Sequence, residues 1–233
     1  MPGHADGTVV VVIPAYQAAA TIGGVVTAAK RALPAATIYV VDDGSRDQTG
    51  EGGRGKGATV LVHPRNLGKG AALRTGIDRA LADGAAIVVT LDADGQHPAE
   101  EIPKLVAPIV AGEADLVLGA RARTRAMPLG RRCTNWLSAT LTSRIAGRAV
   151  PDAQTGFRAL ARQAAELVRP GEARYDFEAA FLLEALARGL RVRSVAIATV
   201  YDGRPSHFRH WEDTWRLARV FTRYGRRIIL GAR

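Results

Sequence analysis

Ala86-Ile87-Val88-Val89-Thr90-Leu91 runs without a break into Asp92-Ala93-Asp94-Gly95-Gln96-His97. The first six residues are apolar or β-branched and too few for an ordinary helix, so they read as a strand covered on both faces. Two carboxylates stand two residues apart at its carboxyl end, and a side-chain amide follows two further on. A loop can turn all three oxygens toward one point. Hard divalent ions such as Mg²⁺ or Mn²⁺ prefer such donors and keep sites open for water and phosphate oxygens. Asp and Gly are also common in plain solvated loops after strands, so the rest of the chain has to choose between the two readings.

Working outward, residues 8–13, 37–41, 59–62 and 115–119 repeat the short apolar pattern, and helical periodicity fills 21–33, 70–82 and 100–111 between them. This alternation predicts an α/β fold: a mostly parallel, Rossmann-like sheet flanked by helices. Pro14, Gly44 and Asp92 each fall just past the carboxyl end of a strand, the edge where open α/β sheets take ligands. Beyond residue 120 the pattern changes to an Arg-rich stretch, 121–147, then a segment at 151–158, a helix near 177–188, a strand near 190–198 and a terminal helix from about 210. The Gly-rich stretch 50–57 reads as a loop.

With 233 residues and 47% hydrophobic side chains the chain is expected to be globular, and its net charge of +10 asks for an anionic partner. Nucleic acid is not expected, since no helix-turn-helix, zinc-finger or aromatic RNA-binding pattern is present and the basic residues gather after the sheet. The lone cysteine, Cys133, excludes an internal disulfide and points to a reducing compartment or to a disulfide-free exported protein. Neither a signal peptide nor a spanning helix is expected at the polar N-terminus.

Five segments in order resemble the motif set of family 2 glycosyltransferases, specifically the polyprenyl-phosphate (dolichol-phosphate) mannose and glucose synthase group. They are Val11-Val12-Ile13-Pro14-Ala15-Tyr16, Val40-Val41-Asp42-Asp43-Gly44-Ser45-Arg46-Asp47-Gln48-Thr49, Asn66-Leu67-Gly68-Lys69-Gly70, Leu91-Asp92-Ala93-Asp94-Gly95-Gln96-His97-Pro98, and Asp152-Ala153-Gln154-Thr155-Gly156-Phe157-Arg158. The resemblance implies an A-type glycosyltransferase fold, a nucleotide-sugar donor, Mg²⁺ or Mn²⁺, and inversion at the anomeric carbon. It also implies a catalytic domain over 1–209, with a nucleotide-sugar half at about 8–120 and an acceptor half at about 121–209, followed by a basic amphipathic helix at 210–233.

On this resemblance the donor site comprises Pro14, Ala15, Tyr16, Asp42, Asp43, Gly68, Lys69, Asp92, Ala93 and Asp94. Pro14 fixes φ where the first strand ends, Tyr16 can wall the nucleotide pocket, Asp43 would take the base and Asp42 would be structural. Lys69 at a helix start can approach donor phosphate. Asp92, Asp94 and Gln96 would hold the metal. Asp92, Asp94, Arg121 and Arg131 are the catalytic candidates, and the acceptor would meet Arg121, Arg131, Arg132, Asn135, Gln154 and Thr155.

A lipid monophosphate acceptor brings a dianion against a diphosphate, a repulsion of several kcal/mol that arginine forks can offset. Here the family's Gly-Ser-Arg pattern reads Gly119-Ala120-Arg121, without the serine hydroxyl. A phosphate acceptor needs no strong base, whereas a hydroxyl acceptor needs a carboxylate such as Asp176 or Glu178. In the last 24 residues, 210–233, Arg216, Arg219, Arg223, Arg226 and Arg227 share one helix side, which suits either an anionic membrane surface or a packed helix with a basic outer face. Peripheral placement on the cytoplasmic face of a membrane is the expectation.

Overall fold

A computed structural model describes residues 8–121, 139–144, 150–172, 174, 176–198, 220 and 222–224. Arg123, Arg125, Arg131, Arg132, Asn135 and most of the terminal helix lie outside the described residues.

The strands are β1 (Val9–Ala15), β2 (Thr37–Asp42), β3 (Thr59–Val62), β4 (Ile87–Thr90), β5 (Leu116–Arg121), β6 (Arg158–Ala161) and β7 (Val192–Ile197). They form one sheet in the order β3-β2-β1-β4-β6-β5-β7. All neighbouring pairs are parallel except those that β6 makes with β4 and β5. The helices are α1 (Ile22–Ala32), α2 (Thr49–Arg54), α3 (Lys69–Ala82), α4 (Ile102–Val110), α5 (Arg162–Leu167) and α6 (Phe177–Ala187), with a 3₁₀ turn at Ala99–Glu101 before α4.

Alternation along the strands fills two cores. Val10, Val12, Tyr39, Val41, Val88 and Leu160 pack against α3, α5 and α6, while Val11, Ile13, Ile38, Val40, Val89 and Ala159 pack against α1 and α4. Both faces being covered is the reason these strands read as unbroken apolar runs.

Pro14 belongs to the body of β1, which runs on to Ala15. Val12 O accepts from Leu91 N and Ala15 O from Asp43 N, so alternate residues of β1 face β4 and β2. Pro14 therefore faces the β4 side, where pairing stops at Val12 with Thr90, and its missing N–H breaks no ladder bond.

Residues 50–57 do not form the expected loop throughout: α2 occupies Thr49–Arg54. Its glycines permit close packing, since a Cβ on Gly53 would sit 3.3 Å from both Val40 and Val60 side chains. β6 and α5 occupy residues 158–167, where the sequence reading assigns no element.

The chain runs β1 to β3 on one side of β1 and then returns to place β4 on the other. The crevice above β1 and β4 is thus the switch point where ligands of such sheets bind.

Candidate active site

The loop after β1 is clasped by the motif after β2. Ser45 Oγ accepts from Gln17 N (3.0 Å), Thr49 Oγ1 from Ala18 N (2.7 Å) and Asp47 Oδ2 from Ala19 N (3.1 Å). Gln17 sits in the left-handed region, with φ 52°, and Tyr16 beside it is 45% exposed at the rim. Asp42 and Asp43 are both buried, at 6% and 3%. Asp42 Oδ1 accepts from Ser45 N at 2.9 Å. Asp43 accepts from Leu67 N (2.9 Å) and Gly68 N (2.8 Å) and lies 2.7 Å from His63 Nδ1, whose other nitrogen is 3.0 Å from Thr75 Oγ1. Asp43 thereby fastens the Asn66-Leu67-Gly68 loop that delivers Lys69 to the start of α3.

Lys69 Nζ stands 2.7 Å from Asp92 Oδ1 and 2.7 Å from Glu178 Oε1, bringing the third, fourth and α6 motifs to one point. Glu178 is 3% exposed and its Oε2 is buried without a hydrogen-bond partner. Burial opposes the Lys69 charge, but the flanking Asp92 and Glu178 carboxylates more than reverse this and hold the ammonium above the ordinary lysine range. Burial would raise Asp92, yet Lys69 and then His97 keep its carboxyl below the usual range. Asp94 is exposed, its Oδ1 accepting from Gln96 N at 2.9 Å. Loss of solvation and the nearby Asp92 charge push its carboxyl upward. Ala93 between them is buried.

The loop before β6 closes the other wall. A Cβ on Gly156 would fall 2.5 Å from Asp92 Oδ1, so only glycine lets this backbone pass the carboxylate. Thr90 Oγ1 donates to Gly156 O at 2.7 Å and fixes that approach. Arg121 forks onto Asp152, with Nε to Oδ2 at 2.6 Å and a second bond of 3.2 Å to Oδ1. Thr155 is wholly buried, its hydroxyl accepting from Phe157 N, whereas Gln154 is only half-buried. Arg158, 3% exposed, donates to the carbonyls of Thr155, Ala153 and Glu178, and burial pushes its guanidinium down to about 10.

Several of these roles are invisible in the sequence: Glu178 as a partner of Lys69, His63 behind Asp43, Arg158 as the tie between loop and α6, and His97. His97 is 4% exposed, packs 5.6 Å from the Phe157 ring and has neither ring nitrogen hydrogen-bonded. Burial pushes its imidazole down, toward the neutral form. Among the described residues no three of His, Cys, Asp or Glu converge as a metal site. Asp92, Asp94 and Gln96 stand within five residues of one loop, and their carboxylate and amide oxygens are of the hard type that suits an ion completing its shell with water and phosphate.

A sequence profile described as Glycosyl transferase family 2 matches residues 10–168. The chain belongs to that family. It is 35% identical over 197 residues to an uncharacterized protein of Methanocaldococcus jannaschii, covering 82% of this chain and 81% of the relative. It is 30% identical over 220 residues to the UDP-N-acetylglucosamine–dolichyl-phosphate N-acetylglucosaminyltransferase of Methanococcus voltae, covering 84% and 87%. The crystal structure of Mycobacterium tuberculosis glucosyl-3-phosphoglycerate synthase shares the fold at a TM-score of 0.75 with 26% identity, over 94% of this chain and 81% of the other. That synthase has also been crystallised with Mn²⁺, UDP and phosphoglyceric acid. The fold of this glycosyltransferase is thus the A-type expected, and β6, antiparallel within it, carries the loop of residues 152–157 into the sheet beside Asp92.

Proposed function

We propose that this glycosyltransferase moves a hexose-type sugar, with inversion, from a nucleotide-sugar donor to a polyprenyl (dolichyl-type) phosphate at a membrane surface. The observation that carries the reading is the engagement of the carboxylates that could act as a base. Glu178 is buried against Lys69, and Asp176 Oδ1 accepts from Arg174 N (3.3 Å) in the turn that opens α6. A hydroxyl acceptor would need such a base within reach. A phosphate monoester does not, because its second pKa is about 6 and it arrives already ionised.

The acceptor oxygen forms a bond to the anomeric carbon while the bond to the donor diphosphate breaks and its electron pair leaves with the nucleoside diphosphate. The residues work by positioning and by charge. Tyr16 and the clasped loop at 17–19 wall the nucleotide. Lys69 faces the diphosphate from the start of α3. Arg121, held in plane by Asp152, turns toward the acceptor phosphate together with Gln154, and Arg131, Arg132 and Asn135 are proposed to complete that side. Asp92, Asp94 and Gln96 would hold Mg²⁺ or Mn²⁺, and such an ion would supply positive charge against the diphosphate.

The hard oxygens of Asp92, Asp94 and Gln96 support the metal, and the dolichyl-phosphate named for the M. voltae relative supports the acceptor. The same reading places the protein peripherally on the cytoplasmic face; among the described residues no helix is long and apolar enough to cross a membrane. The test is a donor panel of GDP-mannose, UDP-glucose and UDP-N-acetylglucosamine with Mg²⁺ or Mn²⁺ and a polyprenyl phosphate, scored as lipid-linked sugar. The expected result is transfer from one donor, lost in chelator. A second reading, transfer to the hydroxyl of a soluble anionic acceptor, is favoured by the fold shared with the phosphoglycerate enzyme. Sugar appearing only on a soluble acceptor would replace the first reading with the second.

A further inference from the structure

His63 follows β3 directly, and its side chain is buried with a partner at each ring nitrogen. Nδ1 stands 2.7 Å from Asp43 Oδ1, and Nε2 stands 3.0 Å from the hydroxyl of Thr75 on the second turn of α3. A carboxylate oxygen accepts and cannot donate, so the partners assign the ring proton to Nδ1, and Nε2 is left to accept from Thr75. The ring is thereby fixed from two sides.

Asp43 passes this order on. Its Oδ1 also accepts from Leu67 N at 2.9 Å and its Oδ2 from Gly68 N at 2.8 Å, the last amides before α3 begins at Lys69. Residues 64–67 are exposed, so the backbone of this loop is held from beneath rather than by apolar cover. The turn after β2 lies close under it: a Cβ on Gly44 would fall 2.4 Å from the Arg65 carbonyl carbon. The contacts close a ring, from Thr75 on α3 through His63 and Asp43 to the amides that lead into the same helix. Within that ring His63 gives Asp43 a charge-assisted bond while being held by a second element itself.

We propose that His63 is a positioning residue for the donor: by donating from Nδ1 it fixes the Asp43 carboxylate, and through it the loop that sets the start of α3 against the donor diphosphate. The inference rests on the nucleotide-sugar reading above and deepens it. What His63 supplies is one N–H in one place.

Two uncharged substitutions separate that role from space filling. His63→Asn can set an amide N–H where Nδ1 stands and keep the bond to Asp43, whereas His63→Gln carries its amide out toward Thr75 and leaves that bond unmade. The measurement is calorimetric titration of the full chain with UDP and with GDP, each with Mn²⁺, beside a thermal melt of each variant. For whichever nucleoside diphosphate the wild type binds, His63→Gln should weaken binding about tenfold, the scale for losing one hydrogen bond to a charged group. His63→Asn should weaken it by less than about threefold. If the ring served as packing, the larger glutamine would be the milder change. Should His63→Gln not melt cooperatively, His63→Leu, which also offers Asp43 no donor, takes its place. Thr75→Val, which leaves the Nδ1–H in position, stands in for His63→Asn in the same way. Nitrogen NMR of the wild type needs no variant, and the His63 ring should carry its proton on Nδ1. Tighter binding by the asparagine variant than by the glutamine variant supports the proposal. Equal losses, the reverse order, no loss in either, or a ring proton on Nε2 alone overturns it while leaving the donor reading standing. A wild type that binds neither nucleotide removes both.

Discussion

Asp94 and Asp43 show how differently two acidic residues of the strand-end motifs are held. Asp94 is exposed and its bond is to the N–H of Gln96 in its own loop, so little of the fold depends on it. Asp94→Ala should leave the melting curve near wild type and lower transfer by about 100-fold or more, the scale for losing a charge-stabilising group in a closed site. Wild-type turnover by that variant would end the metal assignment. Asp43 is buried beneath two backbone N–H groups and His63. Asp43→Ala strands buried donors at about 1–3 kcal/mol each, so denaturant unfolding should show a loss of at least about 2 kcal/mol, with donor binding falling as the loop at 66–68 loosens. The motifs made most site positions legible as residue types. What they could not reveal was pairing: Lys69 and Glu178 meet only because α3 and α6 lie on the same face of the sheet, and Asp43 turns inward because the loop after β3 needs an acceptor.

Elements with strong patterns were readable for a physical reason. The strands β1, β2 and β4 are buried on both faces, and α1, α3 and α4 keep their apolar stripes, so tertiary packing reinforces local preference. α2 was hidden because its glycines serve contact with Val40 and Val60 rather than helix propensity. β6 was hidden because Arg158-Ala159-Leu160-Ala161 opens with an arginine whose charge is absorbed by carbonyls of its own loop. At the far edge of the sheet, Asp115 before β5 holds the start of β7 by accepting from Arg191 N (2.7 Å), Nε (3.1 Å) and the guanidinium at 2.7 Å. The Arg191 hydrogen bonds hold its carboxyl below the ordinary carboxylate range, against the opposing effect of burial. A depressed folded-state value means the stabilisation is full above the unfolded carboxylate value near about 3.9 and is lost as pH falls through the folded one. Asp115→Asn should therefore melt lower than wild type at neutral pH, and the gap should shrink as both are acidified below about pH 4. A gap that stays constant down to about pH 2 would show that Asp115 contributes through shape rather than charge.

At the scale of the molecule the charge is unevenly spread, and that unevenness has a consequence for where the protein works. Between Asp115 and Asp152 the chain has seven arginines and no acid. On the described surface Arg31, Arg79, Arg162, Arg188 and Arg193 each meet a nearby carboxylate, and Arg121 and Arg223 reach Asp152 and, at 3.7 Å, Glu172, carboxylates outside their own segments. The surplus of arginine over acid thus falls in the sequence between Asp115 and Asp152 and in the terminal segment. There, Val220 and Tyr224 pack against Ala179, Ala180 and Leu183 of α6, while the Arg223 side chain is 64% exposed. The two accounts of the terminal helix, packing and surface binding, are compatible when the apolar residues face α6 and the arginine side faces out. Four or five arginines engaging an anionic bilayer at roughly 1 kcal/mol each would give about a thousandfold preference over a neutral one. The expected outcome is flotation with vesicles containing phosphatidylglycerol at about 0.1 M salt, and release near about 0.5 M as screening shortens the reach of those charges. Substituting Arg219, Arg223 and Arg226 together with glutamine should weaken flotation without lowering transfer to a short, water-soluble polyprenyl phosphate. Equal flotation on phosphatidylcholine alone, or retention at high salt, would assign the contact to apolar insertion and not to the arginine face.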